Sequence, residues 1–516
     1  MAQVKKPFWR LRNIVLMTIV LPFVMIAGAL GWAVTRPMGQ AGKFADAIDA
    51  LVSERQPGES ANAWPLLLET LEANKVAEKE FIAFRAAANQ FVPSMYSLYE
   101  PWWTAASEVE GPPRTQTERR EDIRDWIESF RTKGVFDKYA LLAQSRRAVR
   151  PAPQGEVISM MSPELGLMRA SARMLAARYA LAAEKGDVGE MIASYQQLLA
   201  IARISMAQFC IIDFLVGAAI ESYANERVRE MMMMHPLEGE AATRLATGLL
   251  AAMDRERALM ARVDHALGGE RLSMLDSIEW THTDDGSGGG VLVVTVLDQL
   301  ASPGLGTPIT SRLGHVGGAI AGLAFRGKAT TVRNVSEMME KFIVSSHLPR
   351  RARNLAKVEA DMRVGLTWRD RLLSTLLPAM SKAAAAQDRN DLERVGLRTM
   401  LALELYRVRE GHYPARLEDL VGRDLPLLEE DPIAGGPLRY TLLGDGVVDP
   451  NWPDEKLSAG PLGVRGYLLY SMGDDGIDNG GLTRTGNGVW DAIKDPDNPM
   501  AKGIDYLINR KPEATR

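Results

Sequence analysis

Between Ile14 and Val34 the chain runs for 21 residues without a charged side chain. As a helix this stretch is about 32 Å long, enough to cross a hydrocarbon layer of about 30 Å. Lys5, Lys6, Arg10 and Arg12 precede it with no acidic residue among them. That basic flank is expected to stay in the cytoplasm, which sends the C-terminal bulk across the membrane. Ala27-Gly28-Ala29 would serve as a signal-peptidase site. The apolar run, however, is longer than the roughly 7–15 residues of a signal peptide. The expectation is therefore an uncleaved, single-pass anchor in the inner (cytoplasmic) membrane, N-terminus cytoplasmic and bulk periplasmic.

The remainder is too long for a single core, and two to four domains are expected in 516 residues. The formal net charge of −4 argues against a nucleic-acid partner, which calls for a basic face. Cys210 is the sole cysteine, so no intramolecular disulfide forms and no lipid-modified cysteine follows the apolar run. Its apolar neighbours place it in a buried helix as an inert thiol.

Ala, Leu, Met, Glu and Arg dominate residues 41–270, with apolar residues recurring at three and four, the pattern of packed helices. Gly186 followed by Asp187 ends one helix and caps the next, a hairpin like a single tetratricopeptide unit, and no second copy follows at that period. A third helix is expected over about 205–234. Phe84, Phe91, Tyr96, Tyr99, Trp102 and Trp103 concentrate aromatic surface, as core or as a substrate groove. The fold class is mainly α: an N-terminal transmembrane helix, a large helical domain and a small C-terminal α+β domain with an antiparallel sheet. The boundaries are 1–13 (cytoplasmic basic segment), 14–34 (anchor), 35–283 (helical domain), 284–330 (Gly-rich apolar linker or insertion), 331–384 (helical segment) and 385–516 (C-terminal domain). Within 284–330, Asp284 to Gly290 reads as a flexible linker, and Gly318 and Gly322 have the spacing of a close helix contact.

Catalytic signatures are missing. The sequence contains no HExxH, GxSxG or CxxC motif, and its six histidines are scattered. Acidic pairs such as Glu256 with Asp264 arise by chance on helical surfaces. Gly322 to Ala329 nearly matches a phosphate loop, but Ala329 replaces the hydroxyl that would hold Mg²⁺, so no nucleotide is expected. The Met231–Met234 run beside His235 reads as adaptable core rather than a soft-metal site.

Ligand chemistry concentrates in one place. Tyr467-Leu468-Leu469-Tyr470 reads as a strand and runs into Ser471-Met472-Gly473-Asp474-Asp475-Gly476-Ile477-Asp478-Asn479-Gly480. Oxygen donors on a glycine-bent backbone suit a hard cation. Residues 467–505 hold seven Asp against one Arg and two Lys, a cluster that repels itself unless a cation neutralises it. The spacing is not that of an EF-hand, because Ile477 occupies the third position after Asp475 is counted as the first.

Leu403 to Arg409, Gly411-His412-Tyr413-Pro414, Leu417 with Leu420 and Val421, Asp431-Pro432, Pro437 with Tyr440, and Tyr470-Ser471 with Gly473, Asp475 and Gly476 occur in order. Together they resemble the soluble domain of the major pseudopilin of type II secretion, over about a fifth of the chain. The resemblance implies a long helix on a small antiparallel sheet and a Ca²⁺ site in the C-terminal loop. By position it implies Ser471 and Asp475 as the first ligands, with Asp478, Asn479, Asp491 and Asp495 as candidates for the rest. Pseudopilins carry their apolar helix directly before this domain, with an early glutamate. Here the apolar helix lies far upstream and has no acidic residue. The expected function is a membrane-anchored, extracytoplasmic structural or interaction protein with a calcium-stabilised C-terminal domain and envelope or pilin-like partners. The alternatives are an accessory component of a secretion or pilus-like machine, and an envelope hydrolase with its site in the helical domain.

Overall fold

The computed structural model describes residues 28, 31, 36–55, 61–94, 98–103, 114–151, 162–294, 312–348, 350, 353, 360, 371–443, 466–473, 475–481 and 505–509. Among these, the helices are α1 (Ala45–Arg55), α2 (Trp64–Ala87), α3 (Gln116–Thr132), α4 (Val135–Gln144), α5 (Glu164–Lys185), α6 (Val188–Met206), α7 (Ile211–Met234), α8 (Gly239–Arg257), α9 (Val263–Thr281), α10 (Arg312–Gly322), α11 (Lys328–Ser346) and α12 (Arg371–Glu410). Strands β1 (Arg439–Leu442), β2 (Tyr467–Ser471) and β3 (Tyr506–Leu507) form an antiparallel sheet in that order. The protein is thus mainly helical with a small three-stranded sheet. Among the described residues no helix is long and apolar enough to cross a membrane. The expected anchor at 14–34 lies outside them except for Gly28 and Gly31, both helical and exposed.

Local chemistry sets the helix ends. Thr115 closes a reciprocal capping box with Glu118 at the start of α3. Gly186 adopts φ 68° and ends α5, and the Asp187 carboxylate accepts from Glu190 N–H at 3.1 Å to start α6. The third helix, expected from about 205, begins at Ile211, and residues 207–210 separate it from α6. Gln208 donates to the carbonyls of Ala148 (2.9 Å) and Ile204 (2.7 Å), and Ser205 Oγ donates to Asp213 O at 2.8 Å. These tertiary bonds outweigh helix propensity, and Cys210 becomes the capping residue of α7 instead of an interior helical one.

Helices α5 to α8 form the body: α6 packs on α5, α7 and α8, and α4 closes on α6. Trp102, Trp103, Trp126, Tyr139, Tyr179 and Leu199 sit in the main core. A second core lies between α7, α9, α11 and the start of α12. The expected flexible linker at 284–290 is an ordered turn. Asp285 Oδ1 accepts from Ser287 N, Ser287 Oγ and Gly289 N at 2.8–2.9 Å, and Thr283 N–H donates to Val291 O at 2.9 Å. Gly322 packs so closely on the neighbouring chain that a Cβ there would stand 1.5 Å from Leu292 O.

Helix α12 serves two cores. Leu397 and Leu401 belong to the helical body, whereas Leu392, Val395, Met400 and Leu403 pack with Leu417, Leu420, Tyr467, Leu469 and Ile508. The boundary expected at residue 385 therefore lies within one helix. Central β2 is buried on both faces, pairing Tyr470 with Arg439 on one side and with Leu507 on the other. Polar bonds reinforce the seam with α7: Arg394 donates to Glu221, Ser222 donates to Glu393 at 2.8 Å, and Arg229 donates to Ile508 O at 3.3 Å.

Candidate functional site

Strand β2 delivers the acidic loop to one end of the sheet. The loop's described polar side chains first answer local hydrogen-bonding needs. Ser471 is fully buried, and its Oγ accepts from Gly473 N–H at 3.1 Å. Asp475 is exposed and accepts from Ile477 N–H at 3.0 Å. Asp478 Oδ1 accepts from Tyr470 OH and from Gly480 N–H, both at 2.9 Å, while its Oδ2 stands 3.7 Å from Arg439 Nε. Burial and then the Asp478 charge push the Tyr470 phenol up to about 12. Asn479 Nδ2 donates to Ile477 O at 3.1 Å.

The residue that ties the loop together is one the sequence reading passed over. Asp505 opens β3 and is 1% exposed. Its Oδ2 accepts from Asn479 N–H at 2.9 Å and from Gly481 N–H at 2.7 Å. Its Oδ1 is buried and has no hydrogen-bond partner among the described residues. Burial raises its pKa, and the Asp478 charge raises it further. A carboxylate oxygen taken from water and left without a donor is costly, and a cation is one way to satisfy it. The signal in the sequence was faint: an Asp directly before the apolar triplet Tyr506-Leu507-Ile508.

Ser471, Asp475, Asp478 and Asn479 thus share one loop, with Asp505 beneath it. Asp491 and Asp495 lie outside the described residues. Among the described residues no group of three or more His, Cys, Asp or Glu side chains converges at metal-holding distance. Carboxylate, hydroxyl and carbonyl oxygens are the donor types that Ca²⁺ prefers.

The other sequence candidates have structural roles. Trp102 and Trp103 lie 5% exposed in the main core, which leaves no aromatic groove at that point. Glu256 is held by Arg203 at 2.7 Å, 1% exposed on both sides, and Asp264 faces His347 at 3.9 Å. Lys328, in the phosphate-loop-like segment, is buried against Glu279 at 2.7 Å, and Gly327 caps α11. Met231, Met232 and Met233 are core residues. Burial, together with Asp213 and Glu270, pushes the Cys210 thiol up to about 12, far from a nucleophile's range. A cleft of about 600 Å³ opens between the end of α8, the 258–262 connection, α12 and the 427–432 loop. Its charges compensate one another: Arg257 pairs with Glu429 at 2.8 Å and Arg262 with Asp391 at 3.8 Å.

Comparison with protein-family models, with curated proteins and with solved structures finds no match.

Proposed function

We propose that this chain is a membrane-anchored, extracytoplasmic structural or interaction protein whose C-terminal unit is braced by Ca²⁺. The carrying observation is Asp505, whose buried Oδ1 has no donor among the described residues and whose carboxyl is raised in pKa by burial and by the Asp478 charge. In this reading Asp505 and Asp478 hold the ion, with Ser471, Asp475 and Asn479 shaping the loop. The bound ion supplies two positive charges, which offset the repulsion among the loop's carboxylates. The protein's own part is to hold the loop on β2 and β3, so that binding the folded form stabilises it by linkage. Support for a non-catalytic role comes from the core-packed state of Trp102 and Trp103 and from the ion-paired state of Glu256, which a catalytic reading would enlist. The order of motifs from Leu403 to Gly476, and a long helix lying on a small antiparallel sheet, support kinship of this unit with the major pseudopilin's soluble domain.

The test is a thermal melt of the full chain in detergent micelles, in EGTA, in excess Ca²⁺ and in Mg²⁺. At 100 times its dissociation constant Ca²⁺ adds about 2.7 kcal/mol. The expected result is a Ca²⁺-specific rise in Tm that Asp505→Asn removes. A melt indifferent to Ca²⁺ in the wild-type chain would reduce the loop to hydrogen-bonded turns and sink the metal reading.

A further inference from the structure

The apolar segment around α10 acquires a meaning from where the fold places it. From Leu313 to Phe325 there is no Asp, Glu, Lys or Arg, and Arg312 and Arg326 flank the run. One side of α10 is buried: Ala319 packs with Val291, Val293, Met38 and Trp280. The other side presents Gly317, Ile320 (41% exposed) and Ala321, and Leu323 (43% exposed) continues that face just past the helix end. Neighbouring α11 shows what a water-facing helix of this chain looks like, exposing Arg333, Glu337, Glu340 and Lys341. Single exposed apolar residues are ordinary, but a helix face without one charge is not.

The position of that face follows from backbone bonds. Pro37 O accepts from Asp284 N–H at 2.9 Å, Gly39 N–H donates to His282 O at 3.0 Å, and Met38 bridges Thr283. Arg36 Nη1 donates to Asp285 O at 3.0 Å. Met38 follows the last residue of the uncharged N-terminal run, Val34, by four positions, and four extended residues span at most about 14 Å. Met38 in turn belongs to the cluster that contains Ala319 of α10. With a helix diameter of about 10–12 Å, the outer face of α10 is held within reach of the surface that the anchor enters.

We infer that α10 is a second, interfacial membrane contact: it lies on the outer surface of the lipid bilayer beside the anchor, with Ile320 and Leu323 inserted among the lipids. This rests on the reading of residues 14–34 as a membrane anchor. Helices of this kind sit about 5–10 Å into the boundary between headgroups and acyl chains. The tether makes the contact intramolecular, so a short face that would bind a vesicle weakly by itself is held there at high effective concentration. It also fixes the body's orientation relative to the bilayer, since two membrane contacts define it where one would not.

The test uses the full chain reconstituted in vesicles of phosphatidylethanolamine and phosphatidylglycerol. Cys210 is replaced by Ala, and an environment-sensitive fluorophore is attached at Ile320→Cys, Leu323→Cys, Leu427→Cys or, within the anchor, Leu30→Cys. Lipids carrying a quencher in the upper acyl chain report contact. The expected result is strong quenching at 320, 323 and 30, several-fold above that at 427, which is exposed on the C-terminal unit. Quenching at 30 without quenching at 320 and 323 overturns the inference and leaves the anchor standing. Labels at 320 and 323 that are shielded from water yet unquenched by lipid overturn it in favour of a protein cover. No quenching at any of these sites overturns both readings. Quenching at 320 and 323 without quenching at 30 overturns the anchor and, with it, the contact beside the anchor.

Discussion

Replacing Arg394 by Met tests the seam between the helical body and the C-terminal unit. Arg394 gives Nε and Nη2 to Glu221 Oε1, at 2.9 and 2.8 Å, and Nη1 to Asp391 Oδ1 at 2.8 Å. Glu221 is 2% exposed, and burial raises its pKa from 4.5 even with the arginine present. Removing one partner of such a pair costs about 3–5 kcal/mol, because the survivor keeps its desolvation and loses its counter-charge. Protonation sets a ceiling on that cost. Neutralising a carboxyl of ordinary pKa takes about 1.4 kcal/mol per pH unit above it, hence roughly 4 kcal/mol at pH 7.5 and roughly 1.4 at pH 5.5. The folded variant then binds a proton that the unfolded chain has released, so its stability falls as pH rises from the unfolded value towards the raised folded one. At roughly 1 °C per kcal/mol for a chain of this length, the expected loss in Tm is about 4 °C at pH 7.5 and about 1–2 °C at pH 5.5. Melts of the full chain in micelles at the two pH values measure it, with Arg394→Met/Glu221→Gln expected to regain most of the loss. A penalty under about 1 kcal/mol, or one unchanged between the two pH values, would refute the argument that the pair is buried and indispensable.

Three further outcomes are expected. Gly322→Ala should lower Tm clearly, since its Cβ would meet the backbone oxygen of Leu292 at 1.5 Å, while Gly317→Ala, with nothing within 4 Å, should not; thermal melts separate the two. His282 is held neutral by burial, its pKa pushed down to about 4. The unfolded histidine takes up its proton near pH 6.5 and the folded one only near 4, so up to roughly 3 kcal/mol of stability should be lost as pH falls through that window. Denaturation of His282→Gln across the same range should show a flatter profile. Finally, Lys328→Met should destabilise the fold by stranding part of the Glu279 charge, and Mg²⁺-ATP should leave the wild-type melt unchanged, in keeping with a lysine spent on an ion pair.

Local chemistry was legible before the fold was seen. The Gly186-Asp187 junction and the aromatic run of β2 were readable because each depends on residues adjacent in sequence. The break between α6 and α7 was legible but was placed a few residues early, because Gln208 finds its partner at Ala148 and Arg150 N–H in turn donates to Gln208, across about sixty positions. The site shows the same limit. Ser471, Asp475, Asp478 and Asn479 were readable as a cluster, whereas Asp505 enters only through the β2–β3 pairing, which places Tyr506 opposite Ser471. The seam around Glu221 and Arg394 was equally hidden, since a charged residue on a helix gives no sign in sequence of being buried by another helix 173 positions away.

Sharing α12 between two cores has a consequence for the order in which the protein can be made. Helices α5 to α8 emerge from the ribosome early, yet α7 carries Glu221 and Arg229, whose partners are residues 390, 394 and 508. Until those residues have been synthesised, the half-built body presents an apolar strip, vacated by Leu397 and Leu401, around an unpaired buried acid. Contacts of such long sequence separation are slow to close, and a chain waiting for them exposes the surface that holdase chaperones bind. The newborn protein should therefore depend on escort for longer than its mostly helical composition implies, and a ribosome stalled before residue 390 should leave a chaperone-bound body rather than a finished one.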